Sequence, residues 1–165
     1  MVYCVGSDML QVLQPFLKIL IANCFQEDIL NVAQLMNQLC IKFKADAMPI
    51  VDVCILPLLH KATELLPDTS EKAQADIPPH ILTEILHLKK IMLVTLYTIT
   101  NSECAAVLVS PRNITSLEHI LKMAKEGALT TPEPVVKKTS VQIFVCLTEH
   151  WLATTNPNID ASIVT

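Results

Sequence analysis

Residues 26–66, QEDILNVAQLMNQLCIKFKADAMPIVDVCILPLLHKATELL, predict two long helices folded back on each other. In the first, apolar residues recur at the three- and four-residue spacing of one helical face: Ile29, Val32, Ala33, Met36, Leu39, Cys40 and Phe43. The second is apolar on most sides, through Ile50, Val51, Val53, Cys54, Ile55, Leu56, Leu58 and Leu59. A helix that is apolar on several flanks needs several neighbours, as in the middle of a helix stack.

The connection between these two helices is predicted to be short. Lys42 and Lys44 fall in the last turn of the first helix, where cations favour the negative end of the helix dipole. Asp46 is placed to cap the second helix just before Met48 and Pro49. A turn of about three residues forces the two helices to lie antiparallel.

The composition indicates an all-α fold that is more apolar than an ordinary soluble domain requires. The 165 residues include only two glycines and ten prolines, 17% are charged, and the mean hydropathy is +0.46. No uninterrupted apolar run approaches the roughly 18 residues of a membrane span, so we expect no membrane insertion. The simplest interpretation is a piece of a longer stack whose end helices lack their neighbours. Because the first ten residues carry neither a basic leader nor a cleavage site, we expect an intracellular chain.

The chain is predicted to form one α-solenoid segment over residues 1–165. Predicted helices cover 8–23, 26–44, 48–66, 79–100, 114–126 and 135–153, and the longest loop covers 67–78. Pro15 and Pro57 are expected to bend their helices, and Gly127 is expected to stop the fifth. Helix pairs recurring roughly every fifty residues resemble the longer repeats of the HEAT and armadillo type, so we predict a HEAT-like right-handed solenoid.

No residue pattern indicates catalysis, a cofactor or a metal. His80, Glu84 and His87 could share one helical face, but a solvated face explains them as well. Six scattered cysteines are expected to be buried, reduced and structural: Cys4, Cys24, Cys40, Cys54, Cys104 and Cys146. No phosphate-cradling glycine loop or nucleophile motif is present, so we expect a protein that is not an enzyme. The sequon that starts at Asn113 should stay unused inside the cell.

Two lysine pairs are the candidate nucleic-acid contacts. Lys89 with Lys90, and Lys137 with Lys138, lie on helices that are predicted to be first members of successive repeats. Stacking could align the pairs into a basic strip suited to phosphates, although ordinary solubility also explains them. The formal net charge of −4 is opposite to that of a self-sufficient nucleic-acid module.

The stretch around residues 28–59, EDILNVAQLMNQLCIKFKADAMPIVDVCILPLLHK, resembles a central segment of the tRNA export receptors in the importin-beta (karyopherin) family. The preceding GSDMLQVLQPFLKILIANC resembles the helix before that segment. The resemblance is strongest over residues 7–66, and farther on it rests on the order of helices and loops and on ECAAVLVS.

The resemblance implies a HEAT-repeat solenoid that wraps mature tRNA together with the GTP-bound form of the small GTPase Ran. Such a receptor is expected to bind nucleoporins and to shuttle between nucleus and cytoplasm. The family's Ran-binding repeats lie at the N-terminal end of the whole receptor, so this segment alone is not expected to bind Ran in the normal way. The alternative is another HEAT or armadillo scaffold, either a different karyopherin or a protein–protein adaptor.

Overall fold

A computed structural model describes residues 9–65, 78–129, 131 and 133–154. The α-helices are α1 (Met9–Asn23), α2 (Gln26–Phe43), α3 (Met48–Leu65), α4 (Pro79–Asn101), α5 (Leu117–Leu129) and α6 (Pro134–Thr154). Three 3₁₀ helices lie between them: Lys44–Ala47, Ala105–Val109 and Ile114–Ser116. No strand occurs in these ranges, and the all-α prediction is confirmed. Cys4 and positions 66–77, which include nearly all of the predicted loop, lie outside the described residues.

The helices form two rows. In one row α1 packs on α3, and the 3₁₀ helix Ala105–Val109 packs on the next flank of α3. In the other row α2 packs on α4 and α4 packs on α6, while α5 packs mainly on α6. The first four helices thus alternate between the two rows, which is the arrangement of a HEAT-like stack.

The buried faces of α2 and α3 are those that the periodicity predicts. Six of the seven apolar residues predicted on α2 are buried, and Phe43 packs at the edge of the core. On α3 the core members are Ile50, Val51, Cys54, Ile55, Leu58 and Leu59, with Val53 and Leu56 partly covered. The prediction that α3 is covered on more than one flank is therefore confirmed.

The α2–α3 connection is a 3₁₀ turn that runs directly into α3. Its first residue, Lys44, has φ 47°, a left-handed conformation that is uncommon outside glycine. Lys44 Nζ lies 3.2 Å from Glu103 Oε1, and Glu103 itself has φ 66°. The turn therefore rests against the chain segment that follows α4.

In the second row, contacts near the helix ends show how far each helix is shifted along its neighbour. Lys44, just after α2, meets Glu103, just after α4, and Cys146 Sγ on α6 lies 4.0 Å from Asn101 Oδ1. The helices are thus parallel, and about two turns at the start of α4 project beyond both neighbours. In these turns Ile81 and Leu86 are exposed, whereas Ile85 is buried.

Gly127 does not stop its helix, contrary to the prediction, because α5 continues to Leu129. A Cβ on Gly127 would lie 2.5 Å from Ser140 Oγ and 2.7 Å from Leu93 Cδ1. A side chain at position 127 would therefore force Ser140 and Leu93 to shift, and the glycine suits the close approach of α5 to α6 and α4. Pro15 and Pro57 both lie inside continuous helices, α1 and α3.

A polar cluster joins α3 to the segment after α4. The Asp52 carboxylate accepts hydrogen bonds from Ser110 Oγ and Asn113 Nδ2, and Arg112 Nε lies 3.7 Å from it. Asn113 is fully buried, and its amide also donates to the Val107 carbonyl at 3.0 Å. The sequon asparagine is consequently inaccessible in the folded chain.

Candidate nucleic-acid interface

The two candidate lysine pairs lie on neighbouring helices of one row. Lys89 and Lys90 are near the middle of α4, and Lys137 and Lys138 are in the first two turns of α6. Because α6 begins about level with the third turn of α4, the four residues lie within a short distance along the row. The two pairs, which are separated by almost fifty positions in sequence, thus lie at similar heights on two packed helices.

One of these lysines already has an acidic partner. Lys90 Nζ forms an ion pair with Glu133 Oε1, and both side chains are partly exposed. Glu133 directly precedes α6, and its carbonyl accepts a hydrogen bond from the Lys137 backbone N–H at 3.2 Å. Glu133 therefore holds Lys90 at the N-terminal end of α6 and offsets part of the positive charge there.

Lys137 and Lys138 are exposed, and within the described ranges neither forms an ion pair with an acidic side chain. An exposed ammonium group can reach a phosphate without first breaking a contact within the protein. These two residues are consequently the most accessible cations of the candidate interface.

Glu133 is the residue of this site that the sequence analysis missed. A signal was present, since Glu133 stands immediately before Pro134, and a proline commonly occupies the first position of a helix. An acidic residue there is favoured by the positive end of the helix dipole. Its pairing with Lys90 cannot be read from the local sequence, because Lys90 lies on another helix.

The other candidate residues do not assemble into a reactive centre in the described part of the chain. His80, Glu84 and His87 are exposed on α4, and no group of three potential metal ligands occurs among the described residues. Four cysteines are buried and Cys146 is half-buried, and each of these five is a free thiol. None of the described helices is long and apolar enough to cross a membrane.

Comparison with known protein families shows the family to which this helix stack belongs. The family model described as Exportin-T matches residues 1–164, which is nearly the whole chain. The chain belongs to the exportin-T family. The predicted resemblance to the tRNA export receptors is therefore confirmed, and it extends well beyond the residues on which it was based.

Individual exportin-T proteins match the same region at low identity. The chain is 26% identical to exportin-T of Mus musculus and 25% identical to that of Homo sapiens, each over 151 residues and 92% of this chain. It is 21% identical to exportin-T of Arabidopsis thaliana over 153 residues and 93% of this chain. The chain spans about 15% of the length of these relatives. No solved structure matches the chain.

Proposed function

We propose that this exportin-T segment forms part of the tRNA-binding surface of a nuclear export receptor. The receptor carries mature tRNA from nucleus to cytoplasm together with the GTP-bound form of Ran. It binds nucleoporins during this passage. The observation that carries this proposal is the family match over nearly the whole chain. A transport receptor needs no catalytic centre, which agrees with the absence of a catalytic motif from the sequence.

Within this segment the proposed phosphate contacts are Lys89, Lys90, Lys137 and Lys138. Their position on adjacent helices of one row supports a short basic strip, because cations on neighbouring repeats can follow a folded RNA backbone. Lys137 and Lys138 are expected to contribute most, since both are exposed. Lys90 contributes less, because Glu133 already neutralises it.

The test uses the full-length receptor that contains this segment, with GTP-bound Ran present, and measures tRNA affinity as a function of salt. Replacing Lys137 and Lys138 together by glutamine should weaken binding about tenfold and reduce the salt slope by about 1 to 2, since each lost phosphate contact removes nearly one released counterion. Replacing Lys122 and Lys125 together by glutamine is the matched control. These two lysines are also exposed but lie on α5.

Glu133→Gln provides an opposite test of the same strip. Removing this carboxylate frees Lys90 for a phosphate, so tRNA affinity should rise and the salt slope should become steeper. Equal effects of the α5 and α6 double variants would contradict contact through this strip. In that case the segment would act as a spacer between parts of the receptor that hold the RNA.

A further inference from the structure

The three helices of the second row carry their carboxylates only near their ends. The chain has 16 acidic residues against 12 basic ones, yet no Asp or Glu occurs in residues 29–45, 85–102 or 134–148, which make up most of α2, α4 and α6. Each of these stretches contains two lysines, whereas α3 and α5 each contain two carboxylates. A polyanion that approaches the second row therefore meets little negative charge, although the net charge of the chain is negative.

The exposed face of α2 is a stripe of carboxamide side chains. Asn31, Gln34 and Gln38 recur at three- and four-residue spacing, so they lie along one face of the helix, and all three are exposed. The opposite face is buried, with Met36 and Leu39 fully covered. Because α2 packs on α3 and α4 through that buried face, the stripe lies on the open side of the second row.

The stripe begins at the height of the candidate lysines. Lys44 Nζ lies 3.2 Å from Glu103 Oε1, which fixes α2 against the parallel helix α4. Asn31 and Lys90 each lie thirteen residues before these partners, so the two residues are at about the same height. The ion pair of Lys90 with Glu133 places the start of α6, and with it the second lysine pair, beside this point of α4. The amides of α2 and the lysines of α4 and α6 thus form one surface across three neighbouring helices.

Carboxamides and ammonium groups suit different parts of a nucleic acid. A lysine binds phosphate as a point charge, whereas a carboxamide both donates and accepts hydrogen bonds without carrying charge. The ribose 2′-hydroxyl is likewise a donor and an acceptor, and it is the group that distinguishes RNA from DNA. Packed helices lie about 8–10 Å apart, so a strand whose phosphates lie on α4 and α6 can turn its riboses toward α2.

We propose that Asn31, Gln34 and Gln38 contact ribose 2′-hydroxyl groups of the bound RNA, and that the stripe makes this segment favour RNA over DNA. The inference rests on the proposed function, since it requires the RNA phosphates to lie on the lysines of α4 and α6. It adds a specificity that the lysines cannot supply, because the phosphates of RNA and DNA are the same.

The test measures binding of the full-length receptor, with GTP-bound Ran present, to tRNA and to a 2′-deoxy analogue of the same sequence at low salt. Replacing Gln34 and Gln38 together by alanine should weaken tRNA binding about tenfold and change binding of the analogue by less than about twofold. The salt slope for tRNA should stay unchanged, because no phosphate contact is lost. Alanine favours a helix at exposed positions, so the variant is expected to fold.

Gln11→Ala is the matched control, because Gln11 is an exposed carboxamide on α1 in the first row, and both affinities should stay within about twofold. Equal losses for tRNA and the analogue, or no loss for either, would overturn the ribose contact. The double glutamine variant of Lys137 and Lys138 separates the two proposals. If it still lowers the salt slope while the alanine variant has no effect, the ribose contact is wrong and the phosphate strip stands. If neither variant has an effect, both proposals fail.

Discussion

Asp52 is a single residue on which a long-range contact depends. Its carboxylate accepts hydrogen bonds from Ser110 and Asn113 and faces Arg112, all of which follow α4. Removing it leaves the buried Asn113 amide with fewer partners, and a lost hydrogen bond to a charged group costs about 1.5–3 kcal/mol.

We therefore expect Asp52→Ala to lower the free energy of unfolding by about 2–3 kcal/mol in urea titrations. Asp46→Ala is the control, because Asp46 is exposed in the neighbouring 3₁₀ turn and should change stability by no more than about 0.5 kcal/mol. Equal losses in the two variants would show that the cluster around Asp52 adds no stability.

Cys54 makes the free energy of unfolding depend on pH in the alkaline range. Burial raises the pKa of this thiol from 9.0 to about 11, against the opposing influence of Lys18 and Arg112. Between about pH 9 and pH 11 the Cys54 thiol keeps its proton in the folded chain and loses it in the unfolded chain. The resulting stabilisation is complete below pH 9 and is lost as the pH rises through about 11.

We expect the stability advantage of the wild type over Cys54→Ala to shrink by on the order of 2 kcal/mol between pH 8 and pH 11. Urea titrations of both proteins across this range measure it, and comparing them removes the shared effect of lysine deprotonation. Parallel pH profiles for the two proteins would contradict the assignment to Cys54.

At the scale of elements, the face of α4 on which an apolar residue lies decides whether its side chain is buried. Leu86 is 45% exposed and Leu88 is 3% exposed, although both belong to the same apolar pattern. Leu86 lies on the outer face of the helix, whereas Leu88 lies on the flank that faces the core, as does Ile85, which is 1% exposed.

Truncating the two leucines should therefore give very different results. Leu88→Ala is expected to cost about 2–4 kcal/mol, through lost burial and the cavity it leaves, and Leu86→Ala less than about 1 kcal/mol. Thermal and urea unfolding measure both values. Similar costs for the two variants would mean that the outer face of α4 around Leu86 is covered as well.

At the scale of the whole molecule, contacts are concentrated in the middle of the stack. The second half of α4 is buried among α2, α3 and α6, whereas α1 packs mainly on α3. The outer face of α1 presents large apolar side chains to solvent: Met9, Val12, Phe16 and Ile19. A helix that is packed on few of its flanks opens before one that is surrounded by neighbours.

Amide hydrogen exchange should reveal this gradient. We expect amides in α3 and the second half of α4 to exchange slowest and those in α1 to exchange at least about tenfold faster, because α1 packs mainly on α3 and its local opening breaks fewer contacts. Mass spectrometry of peptic peptides measures the rates. A single rate shared by all helices would indicate one closed cooperative unit instead of an open stack.

The sequence by itself determined the all-α class and the buried faces of α2 and α3, because helical periodicity acts within one or two turns of the chain. It also determined the family, through the resemblance of the residues themselves. Only the tertiary structure decided which faces meet: the overhang of α4, the approach at Gly127 and the pairing of Lys90 with Glu133. Each of these depends on how far one helix is shifted along another. That shift is set by packing between residues tens of positions apart, and no local pattern records it.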